Sequence, residues 1–215
     1  KRNGQVTIWV DGTGKRSVAP DGETLTALRP LLNAGSQVVS LDVLHTGWYL
    51  DADQQLPTQT RRVENTREFA GYTLGYNDPL FAQRVQDIMT VVGYIHSTKP
   101  TAIRLVGVNG AGPWVACAAA LCPEVQHVCI DTESFRFDGI TDVRDPQFLP
   151  GAVKYGDLPG ILSLIAPRQL HLAGEGGKVP EQVLASYRAR GATERGQSID
   201  ATGKKARQVF VKSLL

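Results

Sequence analysis

The sequence predicts an α/β protein in which a mostly parallel central sheet is flanked by helices. Segments with the pattern of strands alternate along the chain with segments of helical periodicity, which is typical of a parallel sheet covered on both faces. The segment AIRLVGV (Ala102–Val108) is almost continuously apolar, as expected of a strand in the middle of such a sheet. It runs into the glycine-rich turn NGAGPW and then into an apolar helical segment. We expect about six strands in a single domain that covers residues 1–215.

The first half of the chain supplies two strands and one helix. A strand is predicted at QVTIWV (Gln5–Val10), where β-branched and aromatic residues precede the turn sequence DGTG. Leucines then recur at helical spacing up to Gly35, with Pro30 expected near the start of this helix or at a kink. A second strand follows at QVVSLDVL (Gln37–Leu44). The long stretch 51–77 is too polar for a core and is expected to lie over the rim of the sheet.

The second half begins with the clearest helix. Asp78 is its predicted N-cap and Pro79 lies in its first turn, after which apolar residues recur every three or four positions up to Ile95. The remaining strands and helices are predicted from the same kinds of pattern, at His127–Asp131, Arg168–Ala173, 180–191 and 206–215.

Composition argues against several classes of partner and cofactor. The chain carries 23 Lys and Arg against 21 Asp and Glu, so it lacks the excess charge expected of a protein that binds nucleic acid. It contains no apolar run near the roughly 20 residues that span a bilayer, so no membrane span is expected. The four histidines show no spacing typical of a zinc or di-metal site, so neither a metal nor another cofactor is expected. Cys117, Cys122 and Cys129 lie in or beside apolar segments and are interpreted as packing residues.

The strand, turn and helix around residue 109 have the form of a nucleophile elbow. In such an elbow the sequence G-x-S-x-G exposes a catalytic side chain above the sheet. Here the turn reads GVNGA (107–111), so Asn109 stands in the position of the serine. An amide has no hydroxyl or thiol proton for a histidine to remove, so Asn109 cannot act as the nucleophile. The backbone N–H groups of Gly110 and of Gly12, in the DGTG turn, could still bind an anion or a carbonyl oxygen.

These segments resemble the acetylxylan-esterase-like branch of the α/β-hydrolase family, which is related to dienelactone hydrolases and is found in large secreted bacterial proteins. The resemblance is carried by the elbow with its AGPW continuation, by GYNDPLFAQRVQDI ending at Ile88, and by FLPGAVKYGDLPGILSLIAPRQL (Phe148–Leu170). It implies an α/β-hydrolase fold in which QVTIWV is the third strand. The first strands are therefore expected to be missing before Lys1, and the chain to be part of a longer polypeptide. The resemblance also implies an extracytoplasmic location, in the periplasm or outside the cell.

The resemblance further implies positions for the other two members of a catalytic triad. The acid would lie in a G-x-x-D-x-x-P frame that corresponds to Gly174–Pro180, where Gly177 takes its place. Glu175 is a possible substitute, and so is Asp131 at the carboxyl end of its strand. The histidine would lie in SIDATGKK (Ser198–Lys205), which contains none. All three triad positions are therefore expected to be lost.

Several other side chains are candidates for reactive or binding groups. His127 and His171 lie on predicted strands and are interpreted as structural residues. Cys117 is the thiol nearest the elbow, but it is expected to face the core from the following helix. Trp48 and Trp114 could together form a surface for stacking on carbohydrate, although buried packing is the more frequent role of tryptophan. The exposure of the two indole rings would discriminate between these roles.

Three functions are consistent with this pattern. The first is a catalytically degenerate esterase-like domain that supports a catalytic partner domain or forms a homo-oligomer. The second is an active carboxylic-ester hydrolase acting on acetylated carbohydrate, which would need a histidine from another chain. The third is a ligand-binding module that reuses the oxyanion pocket around Gly12, Asn109 and Gly110. An open polar cleft would favour the third function, whereas a pocket filled by side chains would favour the first.

Overall fold

The computed structural model describes residues 2–18, 23–50 and 74–215. Its centre is a six-stranded sheet with the strand order β2-β1-β3-β4-β5-β6, in which all five neighbouring pairs are parallel. The strands are β1 (Gln5–Asp11), β2 (Gln37–Ser40), β3 (Ala102–Val108), β4 (Val125–Asp131), β5 (Gln169–Ala173) and β6 (Gly196–Ser198). The predicted fold class is confirmed. The short strand β6 was not located from the sequence, because its three residues show no apolar pattern.

Helices cover both faces of the sheet. They are α1 (Glu23–Asn33), α2 (Leu80–Ser97), α3 (Gly112–Leu121), α4 (Asp157–Ser163), α5 (Glu181–Ala189) and α6 (Gly203–Ser213). Side chains of α2 to α5 are buried in one hydrophobic cluster with Ile8 and Leu105 of the sheet. Side chains of α1 and α6 are buried in a second cluster with Trp9 and Val106. Neighbouring residues of one strand thus enter opposite clusters, because side chains alternate between the two faces of a sheet.

The structure corrects the predicted positions of two prolines. Pro79 has an extended backbone, with φ −55° and ψ 147°, and is the N-cap of α2 instead of a residue of its first turn. Its carbonyl oxygen accepts the N–H of Gln83, which begins the helical hydrogen-bond pattern. Pro30 lies inside α1, three residues from its last residue. This position excludes the predicted place near the start of the helix and leaves the alternative of a kink.

The second predicted strand was too long. It ends at Ser40, and Asp42 then holds the chain in a loop, because its carboxylate accepts the backbone N–H groups of Lys15 (2.7 Å) and Trp48 (3.2 Å). The predicted rim position of the stretch 51–77 falls mainly on residues 51–73, which lie outside the described residues. Among the helices in the described ranges, none combines the length and the apolar character that a membrane crossing requires.

Close backbone packing holds the carboxyl ends of the central strands together. A Cβ atom on Gly112, the first residue of α3, would lie 2.1 Å from the carbonyl oxygen of Asp131 at the end of β4. A Cβ atom on Gly12, just after β1, would lie 1.8 Å from the carbonyl oxygen of Asn109. Both positions therefore require glycine, and together they fix the turn after β3 against its two neighbours.

We predict that Gly112→Ala destabilises the protein by about 3 kcal/mol, because the added methyl group must displace the backbone of β4. Gly93→Ala is the matched control. Its Cβ atom would enter open space on α2, so alanine should stabilise the protein by about 0.5–1 kcal/mol. Urea unfolding measures both changes. A Gly112→Ala variant as stable as the wild type would contradict the packing described here.

Candidate functional site

Polar side chains from four strands meet at the carboxyl edge of the sheet. Asp11 is the last residue of β1, Asn109 follows β3, Asp131 is the last residue of β4 and Glu175 follows β5. Because the strands are parallel, these residues lie at the same edge, which is where α/β sheets bind their ligands. This edge is the candidate functional site.

The turn after β3 has the backbone of a nucleophile elbow. Asn109 has a φ of +52° and Gly110 a φ of +82°. Asparagine tolerates this left-handed conformation better than most residues. Its side-chain nitrogen Nδ2 donates a hydrogen bond of 2.8 Å to Oδ2 of Asp11. The residue at the tip of the elbow is thus bound to the neighbouring strand.

Both backbone N–H groups that the sequence suggested as ligand donors bind protein oxygens. The N–H of Gly110 donates to Oε1 of Glu133 at 3.1 Å. The N–H of Gly12 donates to the carbonyl oxygen of Val108, also at 3.1 Å. A ligand oxygen would therefore have to displace the Glu133 carboxylate to reach Gly110.

Asp131 is fully buried, and its carboxylate joins β4 to the start of α6. Oδ2 accepts the N–H of Gly203, the first residue of α6, at 2.7 Å, and Oδ1 accepts the N–H of Glu133 at 3.2 Å. A carboxylate at the N-terminus of a helix also interacts favourably with the helix dipole. Burial raises the pKa of Asp131, and the two hydrogen bonds lower it in part. This geometry supplies a helix cap and contains no histidine partner.

Glu175 is held in an ion pair instead of facing the elbow. Arg136 donates to its two oxygens at 2.9 and 2.6 Å, and the hydroxyl of Thr132 donates to Oε1 at 2.6 Å. The Glu175 side chain is only 7% exposed, so this bidentate pairing offsets the cost of burying its charge. At the predicted acid position, a Cβ atom on Gly177 would lie 3.1 Å from Cβ of Asp200. Asp200 belongs to the stretch Ser198–Lys205 in which the resemblance implies the histidine, so the structure places this stretch next to the predicted acid position.

All four histidines of the sequence lie within the described residues. His45 follows β2, and His96 lies in the last turn of α2. His127 precedes the end of β4 by four residues, or about 13 Å along the strand, and it pairs with His171 of β5. None of the four forms a hydrogen bond with the elbow residue or with a carboxylate of the site in the described ranges. Among the described residues, no histidine is therefore bonded as a triad would require.

The two tryptophans and Cys117, the remaining candidates from the sequence, differ in how far their side chains are exposed. Trp114 is 2% exposed, and its indole N–H donates to Gln147 at 2.6 Å, so it is not available for stacking on a ligand. Trp48 is 70% exposed, with the ammonium of Lys15 located 3.9 Å from its ring centre. Burial raises the pKa of Cys117 to about 12, which disfavours a reactive thiolate.

Glu133 is the main site residue that the sequence analysis missed. It has a φ of +50° and lies two residues beyond the end of β4. Its pKa is raised chiefly by burial and further by the charges of Asp131 and Asp11, while the bond from Gly110 lowers it. Its position just after a central strand could have identified it as a site residue, because ligands of α/β sheets bind at the loops that follow the carboxyl ends of parallel strands.

The strand order, the helices on both faces and the elbow together define the α/β-hydrolase fold. A Bacteroides fragilis protein provisionally described as an acetyl xylan esterase aligns with 95% of this chain and 60% of its own, at 16% identity and a TM-score of 0.63. A methylesterase aligns with 99% of this chain and 48% of its own, at 13% identity and a TM-score of 0.63. A glucuronoyl esterase from Solibacter usitatus aligns with 96% of this chain and 72% of its own, at 16% identity and a TM-score of 0.60.

At these identities the alignments establish the fold. The chain spans 60% and 48% of the length of the first two of these proteins. Neither a family model nor a curated protein sequence matches the chain.

We predict that Glu133→Gln stabilises the protein at pH 7, because it removes a negative charge beside Asp11 and Asp131 while an amide oxygen can still accept from Gly110. A carboxyl group whose pKa is raised in the folded state contributes stability below its usual pKa of 4.5, and this contribution is lost as the pH rises through the raised value. The advantage of the glutamine variant should therefore appear above pH 4.5 and vanish below it.

Urea unfolding at a series of pH values measures this difference. Glu124→Gln is the control, since the charge of Glu124 lies away from the carboxylates of the site, beside Cys122 and Arg168. A free energy of unfolding that is higher for the wild type than for Glu133→Gln at pH 7 would refute the predicted repulsion.

Proposed function

We propose that this chain is a catalytically inactive, esterase-like α/β-hydrolase domain with a structural or partner-supporting role. The observation that carries the proposal is the hydrogen bonding of the elbow. Asn109 binds Asp11, and the N–H that follows it binds Glu133. The positions that supply the nucleophile and an oxyanion donor in an active hydrolase are thus both engaged in hydrogen bonds within the protein.

Ester hydrolysis of the serine type has three requirements, and each meets an obstacle here. It needs a nucleophile, which the amide of Asn109 cannot supply. It needs a base oriented next to that nucleophile, and no histidine of the described residues forms a hydrogen bond with Asn109. It needs backbone donors aimed at the developing oxyanion, and Glu133 occupies the N–H of Gly110. Because different residues cause these obstacles, one substitution does not remove them all.

The side chains at this edge support a structural role over ligand binding. Asp131 caps α6 and Glu175 is paired with Arg136, so the carboxylates of the edge mainly connect elements of the fold. The partner in this proposal is a catalytic domain or a second copy of the chain. An extracytoplasmic location and a bacterial source belong to the proposal as well, since the resemblance to carbohydrate esterases suggests them.

An active carboxylic-ester hydrolase for acetylated carbohydrate is the second candidate. It is favoured by the esterase descriptions of the proteins that share the fold and by the sharp backbone of the elbow. It would require a histidine from another chain, a nucleophile other than Asn109 and the release of Gly110 from Glu133.

We predict no hydrolysis of a chromogenic acetyl ester above background by the wild type, Asn109→Ser or Asn109→Ala. The double variant Asn109→Ser, Glu133→Gln should be inactive too, because it restores a hydroxyl but no base. A serine-directed phosphonate probe should label none of them. Turnover by the wild type that disappears in Asn109→Ala would overturn the proposal.

A structural role also predicts that the elbow side chain contributes to stability. Asn109→Ala should destabilise the protein by about 3 kcal/mol, since it removes a bond to buried Asp11 and places alanine at positive φ. Asn109→Gly keeps the backbone conformation and should cost about 2 kcal/mol, the part due to the bond alone. Chemical unfolding measures both. Removing a catalytic side chain is often neutral or stabilising, so an unchanged or raised stability of both variants would point to a functional site instead.

A further inference from the structure

A second group of reactive side chains lies nearer the opposite end of the sheet, on the face covered by α1 and α6. His127 and Cys129 are two residues apart on β4, so both point to this face. His171 on β5 is the register partner of Cys129. Three potential metal ligands therefore come together on two adjacent strands.

The three ligand atoms converge. One ring nitrogen of each histidine and the sulfur of Cys129 all lie within 4.8 Å of one another. Nε2 of His127 and Nδ1 of His171 are only 2.7 Å apart and share a hydrogen bond. Since metal–nitrogen distances are about 2.0 Å, the two rings need to separate by roughly 1 Å to admit an ion between them.

Gln197 orients His171 as a ligand. Its Oε1 lies 3.1 Å from Nε2 of His171, and its own Nε2 donates to the carbonyl oxygen of Glu194. The amide oxygen can only accept, so Nε2 of His171 carries the proton and Nδ1 presents its lone pair to the cluster. Histidines that bind metals usually have such an acceptor on the second ring nitrogen.

The cluster borders a cavity of about 520 Å³, which gives an ion a route to it. The cavity is lined by Arg104, His127, His171 and Ser213 among other residues. Arg104 is 9% exposed, and its Nη1 is buried without a hydrogen-bond partner among the described residues. A largely buried positive charge therefore stands beside the three ligands.

We propose that His127, Cys129 and His171 form a binding site for a soft metal ion, with Cu(I) bound in preference to Zn(II). Thiolate and imidazole groups suit both ions. Three ligands complete a trigonal copper site, whereas structural zinc takes four, and the described residues place no further His, Cys, Asp or Glu in this cluster.

The net charge of the complex also favours Cu(I) over Zn(II). Two neutral imidazoles and one thiolate carry one negative charge, so Cu(I) forms a neutral complex. Zn(II) would leave a net positive charge beside Arg104, and burying unpaired charge is costly. Binding releases the thiol proton of Cys129, and the proton on Nε2 of His127 moves to Nδ1 of the same ring.

The first test titrates the reduced protein anaerobically with Cu(I) in competition with the chelator bicinchoninate. We expect one Cu(I) per chain, ultraviolet absorption from a copper–thiolate bond, and a higher thermal unfolding temperature with Cu(I) than without it. A parallel Zn(II) titration should give weaker binding. Failure to bind one Cu(I), or tighter binding of Zn(II), would overturn the proposal.

Variants locate the site. Cys129→Ser should weaken Cu(I) binding by about 100-fold or more and remove the ultraviolet band, since loss of a ligand exceeds the usual 10- to 100-fold effect of an outer residue. Gln197→Ala, which leaves all three ligands in place, should weaken binding by about 10-fold. Cys122→Ser is the control, because Cys122 is a buried thiol in the other hydrophobic cluster.

A second variant and the control complete the test. If Cys129→Ser does not fold, His127→Gln replaces it, since this side chain is only partly buried and its loss should also abolish stoichiometric binding. Equal loss of copper in Cys122→Ser would show that binding is nonspecific thiol capture and would refute the site. Ester hydrolysis is not involved in any of these measurements, so the result is independent of the proposed function.

Discussion

The arrangement of the carboxyl edge depends on two carboxylates buried at the ends of central strands. Asp11 is 1% exposed and Asp131 is fully buried. A buried carboxylate is costly unless its oxygens accept hydrogen bonds, so the surrounding chain must supply donors. Asp11 receives them from Thr13 and Asn109, and Asp131 from the backbone of Glu133 and Gly203. These bonds connect β1 to the elbow and β4 to α6.

This requirement gives a physical reason for the amide at the tip of the elbow. The amide of Asn109 reaches across to Asp11 as a donor, and asparagine accepts the left-handed backbone of the turn. Glu133 then lies where the N–H after the elbow would otherwise face a ligand. The same positions that could support acyl transfer in a hydrolase here join neighbouring strands.

Local patterns in the sequence were sufficient for the fold and for the elbow. The elbow is built from contiguous residues: the apolar strand β3, the glycine-rich turn after it and the apolar helix that follows. It could therefore be predicted from the sequence. The contacts that define the site are not contiguous. Glu133 reaches Gly110 across 23 residues, and Asp131 reaches Gly203 across 72. The group of His127, Cys129 and His171 likewise could not be predicted from spacing, because His171 joins the other two only through the pairing of β4 with β5.

The contact between Gly12 and the carbonyl oxygen of Asn109 holds the elbow by main-chain packing, in addition to the side-chain bond from Asn109 to Asp11. The backbone of the turn therefore has a support that a substitution at residue 109 leaves in place. For protein engineering, a new reactive side chain at residue 109 would keep this main-chain contact. The new side chain would still have to accept a positive φ and to leave Asp11 with another hydrogen-bond donor.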